Sequence, residues 1–309
     1  MLLDHSPITQ HHFQQIPFYL KRDDLLHPHF SGNKARKLMP YLQQSHSKTT
    51  TLISYGSAQS NMLYSLSALA KLKGWQLEFY VDHIAPWLKQ NPIGNYRGAL
   101  DLDANVIETH TMHPQIQHPR DYIEQIRQPG SECLFIPEGG SSCEAEHGVR
   151  QLGEEILHWA RTQWSDNRWN THSPLTVALP SGTGTTALYL HKTLKPYGIT
   201  VLTCPCVGDT QYLIHQFQQL AETDHPKVLT QAQKHHFGKL YRDDYRIWQA
   251  LLEQTGVEFD LLYDPTMWRC LLDWYPTHTH HTLLYIHQGG IKGNESMLAR
   301  YRRKFGFQD

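Results

Sequence analysis

Short apolar runs alternate with amphipathic stretches along most of this chain, and no other feature of the sequence restricts its fold as much. Residues 51–55, 76–81, the surroundings of Val106, 132–137, 175–179, 199–204 and 282–286 read as strands. Between them, 60–73, 144–160, 185–194, 210–220, 245–254 and 295–305 have helical spacing. In 144–160, Val149, Leu152, Ile156 and Leu157 recur so as to mark one apolar face. Continuous apolar strands joined by amphipathic helices predict an α/β fold on parallel sheet, because parallel neighbours need a crossover and are covered on both faces. The turn-rich stretch 163–174 and the His-, Lys- and Gln-rich stretch 221–239 read as connections.

Composition removes several classes of function. Lys and Arg total 28 against 29 Asp and Glu, a net charge of -1, so the chain is not a globally basic nucleic-acid binder. No run approaches the ~20 apolar residues of a membrane span. The opening MLLDHSPITQHHFQQIPF lacks a basic segment followed by an apolar one, so a cytoplasmic location is expected. At 309 residues the chain has room for two domains or one large one. The five cysteines (Cys133, Cys143, Cys204, Cys206 and Cys270) predict no disulfide framework in such a chain. Cys204-Pro205-Cys206 has no second pair at zinc spacing, and no metal is expected.

Four segments place Gly, Ser, Thr or Asn beside predicted element ends, where open parallel sheets bind ligands. In Ser31-Gly32-Asn33-Lys34-Ala35-Arg36-Lys37-Leu38, a helix would put Lys34 and Lys37 on one face, although spacing alone favours a solvated helix start. Ser54-Tyr55-Gly56-Ser57-Ala58-Gln59-Ser60-Asn61 opens a helix whose free amides suit an anion, with an ordinary cap by Ser60 or Asn61 as the alternative. Leu179-Pro180-Ser181-Gly182-Thr183-Gly184-Thr185-Thr186-Ala187 matches the dinucleotide pattern G-x-G-x-x-A, which keeps a dinucleotide oxidoreductase as one reading. The next strand ends in Thr203-Cys204-Pro205-Cys206 without the ribose-binding acid, and Asp209 comes too late. A monophosphate suits this hydroxyl-rich loop better. Ile286-His287-Gln288-Gly289-Gly290 closes the last strand, and Pro137-Glu138-Gly139-Gly140-Ser141-Ser142 is a similar strand-end loop.

Taken in order, Lys21-Arg22-Asp23-Asp24-Leu25, Ser31 to Leu38, Gln59-Ser60-Asn61, Ser181 to Thr185 and His287 to Gly290 resemble one family from about residue 16 to 295. It is the pyridoxal-phosphate enzymes of the tryptophan-synthase β-subunit fold, in particular the 1-aminocyclopropane-1-carboxylate (ACC) deaminase and D-cysteine desulfhydrase group. The resemblance implies a two-domain α/β fold with parallel-rich sheets flanked by helices. A small domain at 38–150 would be inserted in a large cofactor-binding domain made of 1–37 and 151–309. It implies pyridoxal 5'-phosphate as cofactor, a small amino-acid substrate, and a homodimer without nucleic-acid or membrane partners. Lys34 would form the Schiff base and remove the Cα proton, and Lys37 would pair with the phosphate. Gly182, Thr183, Gly184 and Thr185 would wrap that phosphate. Asn61 would hydrogen-bond the ring hydroxyl, Ser60 would meet the substrate carboxylate or move a proton, and Gln288 would lie near the pyridine nitrogen. The reaction implied is carbon–sulfur lysis or deamination giving a 2-oxo acid and ammonia.

Some positions depart from the family pattern. The family follows its Asp-Pro with Val-Tyr and then Thr or Glu, whereas this chain has Asp264-Pro265-Thr266-Met267-Trp268. Aligned on Asp-Pro, Met267 replaces the active-site Tyr and Trp268 the Thr or Glu. Phe237 before Gly238 replaces a second Tyr, and Met62 replaces a His after Asn61. This alignment predicts an apolar substrate side and a bulkier or different substrate. A pyridoxal-phosphate binding protein with little catalysis is the alternative it leaves.

Overall fold

The computed structural model of the chain describes residues 3–164, 173–231 and 235–306. Parts of both predicted connections, 165–172 and 232–234, therefore lie outside the described residues. The strands are β1 (Ile8–Phe13), β2 (Ile16–Lys21), β3 (Thr51–Tyr55), β4 (Gln76–Val81), β5 (Asn105–Glu108), β6 (Cys133–Phe135), β7 (Leu175–Ser181), β8 (Thr200–Pro205), β9 (Lys227–Val228) and β10 (Thr282–Ile286). Helices of seven residues or more are α1 (Gly32–Gln43), α2 (Asn61–Lys73), α3 (Gly94–Leu100), α4 (Ala145–Gln163), α5 (Thr185–Leu194), α6 (Thr210–Gln219), α7 (Arg242–Thr255), α8 (Asp264–Trp274) and α9 (Asn294–Phe305).

The strands make a six-stranded sheet in the order β1-β2-β10-β7-β8-β9 and a four-stranded sheet in the order β5-β4-β3-β6. Among the described residues only β1 and β2 pair antiparallel, and every other neighbouring pair is parallel. The α/β, parallel-rich reading is therefore correct. All seven residues of β7 are buried, as a central parallel strand covered on both faces requires. On one face, Val149, Leu152, Ile156 and Leu157 of α4 pack with Leu175, Val177 and Leu179 of β7 and with α5. On the other, Phe18, Ala178, Leu202 and Tyr285 pack with Trp268 and Leu271 of α8 and Met297 of α9. Each such large apolar side chain contributes about 1.5–3 kcal/mol by burial.

The elements not read from the sequence include the β1–β2 hairpin, α3, α8 and β9. The β1–β2 hairpin turns through Gln14 (φ 46°) and Gln15 (φ 68°), where Asn-Gly is the usual signal for two left-handed residues. Helix α8 begins on Asp264-Pro265, a dipeptide read only as the counterpart of the family's Asp-Pro, with Pro pre-set for a first turn.

Candidate active site

Among the segments that line one cleft are the start of α1, residues 260–263 ahead of α8, and the exits of β3, β6, β7 and β10. The first is fixed by the last. Asn33 donates its backbone N–H to the Gln288 carbonyl at 3.1 Å. A Cβ on Gly32 (φ +66°) would lie 1.9 Å from that same oxygen, so only glycine permits the contact. One turn on, fully buried Arg36 is gripped by Asp23 at 2.8 Å and by Glu155 at 2.6 Å, and Lys21 reaches the same Glu155 at 2.6 Å. The Lys21-Arg22-Asp23-Asp24-Leu25 motif thus orients α1 rather than entering the cavity, and α1 carries Lys34 and Lys37.

Burial lowers the pKa of both lysines, and the Lys34 charge lowers that of Lys37 further. Lys37 donates to the Gly139 carbonyl in the β6 exit loop. A small pocket of about 20 Å³ runs from both lysines to Gly182, Thr183, Gly184 and Thr185. Beyond β7 these residues lead into α5, and Thr185 donates to the Ser141 hydroxyl at 3.0 Å. Two buried amines facing a glycine-rich helix start make a site for a dianion.

A second pocket of about 40 Å³ touches Lys34, Asn61, Gly182, Asp260, Tyr263, Asp264 and Gln288. Gln288 donates to the Pro180 carbonyl at 2.7 Å, while its own Oε1 is buried with no partner. An unpartnered buried acceptor costs about 1–3 kcal/mol, so the site suits a ligand that brings a donor. Asn61 donates to Asp260 Oδ2 at 2.9 Å and accepts from Asn95 at 2.7 Å. Gly290 (φ +86°) permits this pair, because a Cβ there would lie 2.2 Å from Asp260 Oδ2. Burial raises the pKa of Asp260 to about 6 and that of Asp264 to about 8, the Asp260 charge adding to the second shift. Asp264 accepts from Tyr285 at 2.6 Å and from the Asp260 N–H at 2.8 Å.

Ser60 caps α2, accepting from Leu63 N–H at 3.1 Å, and lines the main cavity of about 870 Å³ with Lys34, Asn61, Gly182 and Thr183. The structure thus brings Lys34, Lys37, Asn61, Gly182, Thr183, Gly184, Thr185 and Gln288 to the deep pockets, and sets Ser60 on the cavity wall.

The alignment on Asp264-Pro265 is corrected. Met267 and Trp268 are both 0% exposed and lie in the apolar core on the far side of α8, with Trp268 stacked on Tyr285 at 4.9 Å. Tyr263 and Asp260 face the site instead. The spacing Asp260-x-x-Tyr263 is that of Asp-Pro-Val-Tyr, four residues upstream of the Asp-Pro dipeptide that misled the alignment. In this register Tyr263 takes the tyrosine position and Asp264 the Thr or Glu position. Phe237 does line the cavity, 5.4 Å from the Tyr263 ring.

The family described as pyridoxal-phosphate dependent enzymes matches residues 3–258. An Oryza sativa subsp. japonica protein named for D-cysteine desulfhydrase 2, mitochondrial, is 22% identical over 93% of this chain and 81% of its own length. A Pyrococcus horikoshii protein named for ACC deaminase is 26% identical over 89% of this chain and 85% of its own. The solved structure of an ACC deaminase homologue superposes with a TM-score of 0.75 at 20% identity, covering 96% of this chain and 92% of its own. The processed form of threonine deaminase isoform 2 from Solanum lycopersicum shares the fold at a TM-score of 0.62 and 13% identity, with 94% of this chain and 79% of its own covered. The match over 3–258 covers most of the chain, which belongs to the family of pyridoxal-phosphate dependent enzymes.

Proposed function

We propose that the chain is a lyase or deaminase that eliminates the β-substituent of an amino acid and releases a 2-oxo acid and ammonia. The observation that carries this reading is the buried Lys34–Lys37 pair opposite the Gly182–Thr185 loop, with the orphan Gln288 Oε1 alongside. These residues fit pyridoxal phosphate: a dianion for the lysines and loop, and a donor for Gln288. When bound, the cofactor supplies an aldehyde that captures an amine and a ring that accepts the electron pair left at Cα.

In this reading each residue has a stated task. Lys37 and the amides of Gly182 to Thr185 hold the phosphate. Lys34 carries the cofactor; its amine, pushed toward neutrality by burial, takes the Cα proton at Nζ. Asn61, braced by Asp260 and Asn95, orients the ring edge. Asp264 and Gln288 would hold the ring from the deep end of the pocket they line, where Asp264 is an acid able to hold or give up a proton near neutral pH. The N-terminus of α2 with Ser60 binds the substrate carboxylate. The relatives named for D-cysteine desulfhydrase and ACC deaminase support elimination or deamination.

The test is the absorption spectrum of the purified protein before and after borohydride, with peptide mapping, then 2-oxo acid detection over D- and L-amino acids. A band trapped on Lys34 and 2-oxo acid release are the expected results. Trapping elsewhere, or no 2-oxo acid from any amino acid, would overturn the assignment. The proposal extends to domains at 38–150 and at 1–37 with 151–309, a homodimer, and a cytoplasmic location. Limited proteolysis, light scattering and fractionation test these in turn. Among the described residues no helix is long and apolar enough to cross a membrane.

A further inference from the structure

The deep pockets beside Lys34 account for only part of the cleft. The main cavity, about 870 Å³, continues outward from Lys34 and Ser60 to Trp87, Leu88, Ile93, Met297 and Ala299. None of these five lines either deep pocket. They come from two places in the fold. Trp87 and Leu88 sit on the short helix Pro86–Gln90 after β4, and Met297 and Ala299 on α9 beside the six-stranded sheet. The two walls are tied together where Glu295 accepts from Gly94 N–H at 3.2 Å and from Arg97 at 2.8 Å. The chamber is therefore a braced feature rather than a gap between loose elements. Trp87 is 54% exposed, an indole left unfilled at the wall of an active-site cleft. Cavities of this size bury a drug-sized ligand, and apolar lining of this extent marks a binding surface. A three-carbon amino acid held at Lys34 would leave all of it in contact with water. At the outer edge stand Arg300 and Arg303, so the far end of the chamber is cationic.

We infer that the substrate is a cysteine-type amino acid whose sulfur carries a large apolar group seated in this chamber, an S-aryl or S-alkyl conjugate without a terminal cation. The inference rests on the elimination reading above. The step balances as follows. The Cα proton goes to Lys34, the Cβ–S bond breaks, and the electron pair leaves with sulfur. Sulfur takes a proton and departs as a thiol. The enamine left behind shifts a nitrogen proton to Cβ, and one water then replaces the nitrogen, giving a 2-oxo acid and ammonium with no oxidant or reductant.

The test uses the cofactor-loaded enzyme with the D and L forms of S-benzylcysteine, cysteine and S-(2-aminoethyl)cysteine. It reads thiol and 2-oxo acid release together with the change in the cofactor's visible spectrum on binding. S-Benzylcysteine should exceed cysteine in kcat/KM by at least about tenfold, the range that well-filled apolar subsites give. It should also saturate the spectral change at lower concentration, and the aminoethyl compound should bind more weakly than S-benzylcysteine. Trp87→Ala, at an exposed position, and Ala299→Trp, which fills the chamber, should each cut the benzyl-to-cysteine ratio at least fivefold. Retention of the visible band identifies variants that have folded. Turnover of cysteine with no preference for the conjugate would overturn the substrate inference and leave the elimination reading standing. A spectral response to both compounds without any 2-oxo acid would overturn the elimination reading, and the inference with it.

Discussion

Lys34 precedes Lys37 by one turn of α1, and both amines are buried against the same glycine-rich loop. Two amines placed together out of water either give up a proton or share an anion. The roles are separable: Lys34 also opens onto the main cavity, while Lys37 is confined beneath it. Lys34→Ala should therefore abolish borohydride-stable cofactor attachment and lower turnover by about 10²–10⁴-fold, the usual weight of a positioned proton-transfer group. Absorbance after reduction, with mass mapping of the labelled peptide, checks it.

Lys37→Met should behave differently. At saturating cofactor Lys34 remains labelled, but the dissociation constant for pyridoxal phosphate should rise about 10–100-fold, as loss of a charged hydrogen bond worth ~1.5–3 kcal/mol implies. Unaltered affinity in a fluorescence titration would remove Lys37 from the phosphate site.

Asp264 makes stability depend on pH. Its carboxyl ionises at the ordinary value of 3.8 in the unfolded chain and at about 8 when folded, burial being the main cause. Between those values the folded protein holds a proton that the unfolded chain has released. Its contribution to stability is full below the lower value and falls away as pH rises through the upper one. Asp260, raised to about 6, adds the same sign over a narrower window. Asp264→Asn can still accept from the Asp260 N–H and meet Tyr285. It should flatten the loss of stability between about pH 5 and 8 in urea unfolding of the cofactor-free protein. An unchanged slope would contradict a buried, late-ionising Asp264.

Trp268 and Tyr263 should separate stability from activity. Trp268 packs edge-on against Phe13 at 5.1 Å and Phe18 at 4.7 Å in the core, so Trp268→Ala should cost about 3–5 kcal/mol of stability. Folded Trp268→Ala enzyme should still show the cofactor band. Tyr263→Leu should instead shift that band and lower kcat/KM, because Tyr263 lines both the deep pocket and the main cavity. Denaturation curves and spectra of the two variants, taken side by side, decide the register.

Gly290→Ala should weaken cofactor binding more than its size suggests. The added methyl would lie 2.2 Å from Asp260 and 2.5 Å from Asn61, forcing their hydrogen bond open at a backbone φ of +86°. A loss of about 1–3 kcal/mol in stability is expected from the strained backbone alone. Calorimetry with and without cofactor separates the two effects.

The parts of the site legible in the sequence are those made of local motifs. Lys34 and Lys37 on one helix, the Gly182–Thr185 loop, the Ser60 cap and the exit of β10 each show in a few consecutive residues. Asp260, Tyr263 and Asp264 did not, because a nearby Asp-Pro dipeptide imitates the motif four residues too late, and only burial distinguishes the two registers. The β1–β2 hairpin escaped because Gln14-Gln15 adopts a turn that sequence normally announces with Asn-Gly. The outer chamber was illegible for a third reason: its walls, around residues 87–93 and 297–299, lie some 200 residues apart and meet only in the folded chain.

The seating of Gly32 and Asn33 on the Gln288 carbonyl bears on how the protein is made. The helix that bears Lys34 is synthesised well before the strand exit on which it rests. β2 likewise waits for β10 before it joins the sheet beyond its hairpin. A ribosome-bound nascent chain stalled before β10 would lack the seat for Lys34, so competence to take up cofactor should arise late in translation, after the C-terminal strand has cleared the exit tunnel.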